Sequence, residues 1–82
     1  MGSFKKLLQK ALSSPNNLSF DDVCSLAKAV GFKFKRQKDS HKIYRHSALT
    51  NEVINLQNVS GKAKPYQVKQ LTNIIDKYNL DR

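Results

Sequence analysis

At Gly31 the hydrophobic pattern of this chain changes period. Before it, Val23, Leu26, Ala27 and Val30 recur at the spacing of one helical face; after it, Phe32 and Phe34 alternate with Lys33 and Lys35, the pattern of a half-buried strand. Glycine is the residue that ends a helix most cheaply in the left-handed conformation, so the switch falls where a stop is available. The start of that helix is marked as well. Ser19 can cap it with Asp22 three residues on, and Leu18 and Val23 occupy the two positions of a hydrophobic staple.

The other elements follow from the same reading. Phe4, Leu7, Leu8, Ala11 and Leu12 lie on one face of a helix over 3–13, which Ser14-Pro15-Asn16-Asn17 breaks. Downstream of Gly31, a second strand runs from His41 to His46 after an Asp39-Ser40 turn, and a third from Glu52 to Gln57. Gly61-Lys62-Ala63-Lys64 reads as a basic loop, and Pro65 opens a last helix striped by Val68, Leu71, Ile74, Ile75 and Tyr78. The expected architecture is α+β, in the order α-α-β-β-β-α. Three antiparallel strands form a meander, with the helices packed on one face.

Length limits what this fold can hold. In 82 residues there is room for one small domain with a lean core, and none for a two-lobed cleft. One cysteine, Cys24, excludes a disulfide framework and a multi-cysteine metal site, and suits a reducing cytoplasm. The residues show no membrane-spanning run, and MGSFKKLLQ does not read as a secretory signal. With 15 Lys and Arg against 6 Asp and Glu, the formal charge of +9 draws the chain to polyanions.

Much of that charge is concentrated. Lys33, Lys35, Arg36, Lys38, Lys42 and Arg45 fall between residues 33 and 46 and are opposed there by Asp39 alone. Tyr44 and both histidines share the stretch. Cations beside an aromatic suit RNA, although most charge runs are no more than solvated faces. Meander topology should bring Asp39-Ser40-His41 to the same rim as Lys62, Lys64 and the start of the last helix, where free amides can take a phosphate. His41 is then the candidate for acid–base chemistry on a ribose 2′-hydroxyl, its plainer reading being a partly exposed strand histidine. Ile43 is expected to point inward, because it has no polar tip to satisfy, and that parity would put His41 on the helix side. His46 reads as structural or solvent-facing, and Cys24 as a small buried or boundary residue. The two histidines have no companion carboxylates that would complete a metal site.

The run from Gly31 to His46, GFKFKRQKDSHKIYRH, resembles the HicA toxins of bacterial type II toxin–antitoxin systems, and Gly61 to Val68 resembles one branch of them. That family shows a helix ending in Leu/Val-Gly-Phe, a basic strand, then Gly-Ser-His followed by a hydrophobic and an aromatic residue. The resemblance covers roughly 18–80. It implies a division into an N-terminal amphipathic helix and linker over 1–17 and a HicA-like ribonuclease domain over 18–82. It also implies a fold similar to double-stranded-RNA-binding domains, extended by the first helix. The implied activity is cytoplasmic mRNA cleavage as an endoribonuclease, without metal or cofactor, using His41. Ser40, Lys33, Lys35, Arg36, Lys38, Lys42, Lys62 and Lys64 are the expected RNA contacts. The implied partner is a HicB-type antitoxin, which joins a monomeric toxin in a hetero-oligomer.

Two departures stand out: Asp39 replaces the family's usual Gly, and Asn55-Leu56-Gln57-Asn58 stands where many relatives have a Pro-Arg-His-like step. Two other readings compete. One is an RNA-binding module without catalysis, since fold does not fix function. The other takes the 3–13 helix as a basic membrane-surface anchor.

Overall fold

A computed structural model describes residues 2–81. Its elements are α1 (Gly2–Ser13), a single 3-10 turn (Pro15–Asn17), α2 (Phe20–Ala29), β1 (Phe32–Lys38), β2 (His41–His46), β3 (Val53–Val59), β4 (Lys62–Ala63) and α3 (Pro65–Lys77). The sheet is antiparallel in the order β1-β2-β3-β4. It therefore has four strands where three were expected, and the residues read as a basic loop supply the fourth. The reason is the turn. Ser60 and Gly61 both have positive φ, 53° and 86°, which is the twist a two-residue hairpin needs, so Val59 pairs with Lys62. Asn58 Oδ1 accepts the Gly61 N–H at 2.7 Å and holds the turn shut.

Where β4 ends, β3 would expose an unpaired amide. Gln67, in the first turn of α3 and itself buried, accepts the Gln57 N–H through Oε1 at 2.7 Å. The side chain continues a ladder that the backbone has left, which is why a glutamine is buried here.

α2 begins as its sequence requires. The Asp22 N–H donates to Ser19 Oγ at 3.1 Å, and Leu18 and Val23 are fully buried. The helix ends at Gly31, whose φ is 106°. One core lies between the helices and one side of the sheet, built from Leu18, Phe20, Val23, Leu26, Phe32, Tyr44, Ile54, Leu56, Val68, Leu71 and their neighbours. The shortest dimension is 20 Å, enough for one sheet and one helix layer. Phe4, Leu7 and Leu8 of α1 pack against this core, and Ala11 is buried in it. The face that a membrane anchor would have to offer is thus spent on packing. Among the described residues no helix is long and apolar enough to cross a membrane.

The parity of β2 is the reverse of the expected one. Tyr44 is 1 % exposed and points to the helices, while Ile43 is only partly buried. Register explains it: Tyr44 pairs with Phe34 on one side and Ile54 on the other, and paired residues share a face. Turning Ile43 inward would turn Ile54 and Leu56 out. The polar tip that argued against Tyr44 lies beside the Cys24 side chain of α2.

Candidate active site on the open face of the sheet

Because Tyr44 and His46 face the helices, His41, Ile43 and Arg45 face away from them. Opposite them on β3 stand Gln57, Asn55 and Val53. On β1, Lys33 pairs with Arg45, Arg36 with Ile43, and Lys38 with His41. The register shifts between Phe34 and Arg36, leaving Lys35 as the extra residue of a bulge. Two consecutive basic residues, Lys35 and Arg36, can therefore serve one face where strict alternation would have divided them. Lys33, Lys35, Arg36, Lys38 and Arg45 are all exposed.

β1 and β2 thus place five cations on the open face with His41, and exposed Lys62, paired with Val59, adds one on β4. All seven Phe and Tyr of the chain lie elsewhere: Phe32, Phe34 and Tyr44 on the helix side of the sheet, the others on the helices. Tyr44, expected beside the RNA as a stacking surface, is a core residue. Burial first, and the neighbouring Cys24 side chain second, push the Tyr44 phenol well above the ordinary tyrosine range.

His41 lines a shallow depression of about 300 Å³ with Lys38, Asp39, Ile43 and Asn55. Its Nδ1 lies 3.0 Å from Asn55 Oδ1. An amide oxygen only accepts, so Nδ1 carries a proton, and in the neutral ring Nε2 keeps its lone pair. Asn55 was missed by the sequence reading. It lies fourteen residues from His41 and joins it only through the β2–β3 register, one pleat along from the Gln57 that directly opposes His41.

The other expected site residues divide between two faces. Ser40 and Lys42 line a separate depression of about 650 Å³ with Phe20, Asp21, Gln37, Asp39, Asn58, Ser60 and Gly61. Lys42 Nζ sits 5.5 Å from the Phe20 ring centroid and 6.0 Å from that of Phe34, on the helix side. Lys62 is exposed in β4, and Lys64 caps α3 with its Nζ 5.9 Å over the Tyr66 ring. Neither lines the His41 depression. The expected common rim exists in the backbone, where the Asn58 N–H donates to Ser40 O at 2.9 Å and α3 reaches Gln57 through Gln67. The ring of His41 leaves it by the opposite face, as its parity dictates.

His46 is structural. It is buried with Nε2 donating to Val30 O at 2.7 Å, and Nδ1 accepts from the amides of Ala48 at 3.0 Å and Leu49 at 3.1 Å. Its ring meets Phe32 edge-on at 5.0 Å. Gly31 is seated against it: a Cβ there would lie 2.6 Å from His46 Nε2. The Gly31–His46 contact joins the end of α2 to the end of β2.

Residues 20–76 match the family model of the HicA toxin of bacterial toxin–antitoxin systems. The match spans the capped helix, the basic hairpin with His41, the Ser60-Gly61 hairpin and nearly all of α3, and the chain belongs to that toxin family. Comparison with curated proteins and with solved structures gives no match.

Proposed function

We propose that this toxin is a metal-independent endoribonuclease, an mRNA interferase, in which His41 is the general acid–base group. The observation that carries the reading is the pairing of an imidazole held at Nδ1 by Asn55, whose neutral form offers the Nε2 lone pair, with the exposed cations Lys33, Lys35, Arg36, Lys38 and Arg45 of β1 and β2. Nε2 takes the proton of a ribose 2′-hydroxyl as its oxygen attacks the adjacent phosphorus. The P–O5′ bond breaks, the 5′ oxygen takes a proton from solvent, and a 2′,3′-cyclic phosphate remains. Lys38, which lines the same depression, stabilises the charge that builds on the phosphorane, while the remaining cations hold flanking phosphates. The attacking oxygen belongs to the substrate, so the route asks for no bound hydroxide.

The order α2-β1-β2-β3-α3, with helices on one face, supports a likeness to double-stranded-RNA-binding domains as the platform. The basic face also suits an acidic HicB-type antitoxin that covers it in a cytoplasmic hetero-oligomer. Incubating pure protein with RNA in EDTA tests the activity. Cleavage to cyclic-phosphate ends, reduced about 100-fold or more by His41→Ala with the fold intact, is the expected result. Retention of RNA without cleavage by the unmodified protein would assign it to a binding module instead. Undiminished cleavage by His41→Ala would remove the histidine from the mechanism.

A further inference from the structure

We infer that Asn55 is a positioning residue for His41, holding the imidazole in the Nδ1–H tautomer so that Nε2 is the nitrogen offered to substrate. The inference rests on the reading of His41 as the acid–base group, and its geometry stands independently. Nδ1 and Asn55 Oδ1 are 3.0 Å apart across the β2–β3 pair. Asn55 is directly opposite Ile43, and His41 directly opposite Gln57, so the contact is a diagonal one on the open face. Neither side chain serves the core: Asn55 is exposed and His41 half-exposed. Both line the depression that also holds Lys38.

An imidazole on a strand surface turns about its own bonds and, left alone, favours the proton on Nε2. That tautomer would present an N–H where a base needs a lone pair. An amide oxygen at Nδ1 reverses the preference and fixes the ring plane together. A carboxylate in the same place would do this too, but it would add a charge that favours imidazolium. A neutral amide orients the ring while leaving it ready to accept a proton.

The contrast between Asn55→Ala and Asn55→Asp tests this, read by cleavage kinetics and by the ring-nitrogen NMR signals of His41 in the intact protein. Asn55→Ala should lower kcat about tenfold with KM for RNA nearly unchanged. It should also move the neutral ring toward Nε2–H. Asn55→Asp should keep the Nδ1–H tautomer and regain rate at alkaline pH, with the acid limb of the pH–rate profile displaced upward by roughly 0.5–1 unit. Identical His41 tautomers in the unmodified protein and Asn55→Ala would overturn the inference, whatever the activity. So would an unchanged kcat in Asn55→Ala while His41→Ala is inactive, an outcome that leaves the nuclease standing. Cleavage surviving His41→Ala is the separate signature of a failed acid–base assignment for His41, and absence of cleavage by the unmodified protein that of a failed nuclease assignment; in both cases the tautomer still decides the role of Asn55.

Discussion

His46 and Tyr44 show how far single residues on the covered side of β2 are committed to structure. Replacing His46 by Phe keeps a ring against Phe32 but strips partners from Val30 O and from the amides of Ala48 and Leu49. Unpaired groups of this kind cost about 1–3 kcal/mol each, so the denaturant midpoint of His46→Phe should fall by the equivalent of roughly 3 kcal/mol. Tyr44 gives a pH signature. Its folded-state phenol is held above the unfolded value, so the neutral form contributes stability that is complete below about pH 10 and lost as pH rises past it. Thermal melts between pH 9 and 11 should therefore show an alkaline decline that Tyr44→Phe flattens. These two residues also mark where reading the chain ran out. Parity in β2 was open because Ile43 and Tyr44 are adjacent and both apolar enough to be buried. The choice was made by neighbours on other strands, Phe34 and Ile54, which pair with Tyr44.

Among the elements, the two hairpins differ in how well their turns suit their sequences. At β3–β4 the tip is Ser60-Gly61 and the glycine meets no atom within 4 Å, so Gly61→Ala should cost about 1 kcal/mol through φ alone. Gly31→Ala meets the same backbone penalty and the ring of His46 as well, and should unfold at markedly lower denaturant than Gly61→Ala. At β1–β2 it is Asp39 that takes positive φ, 55°, a conformation that glycine adopts more readily. Asp39→Gly should gain about 0.5–1 kcal/mol in equilibrium unfolding, and should also tighten RNA binding, because the only carboxylate lining the His41 depression is removed. The elements themselves were legible where local chemistry decides them: the Ser19 cap, the Gly31 stop and the Phe-Lys alternation all lie within a few residues. β4 was not, because a two-residue strand has no periodicity to read. Its one local signal is the turn chemistry of Ser60-Gly61, which a basic loop shares.

For the molecule as a whole, the sheet separates two tasks. Charge explains the side toward solvent and apolar packing explains the side toward the helices. Which cation belongs to which side depended on a bulge at Lys35 that composition does not reveal. RNA affinity should fall steeply with salt, and Lys33→Gln, Arg36→Gln and Lys38→Gln should each lower the slope of log K against log salt by close to one contact, about 0.7–0.9. Lys42→Gln, on the covered side against Phe20, should leave that slope unchanged. With the aromatic rings all off the open face, little there can grip a base, so homopolymer RNAs of equal length should bind with similar affinity. The histidine that would do the chemistry contributes nothing to the core. A copy disarmed at His41 therefore keeps its shape, its charge and its cationic face. On the proposed reading such a copy would be a decoy: harmless to RNA, yet still able to occupy whatever recognises that surface and so to leave an active sibling unguarded.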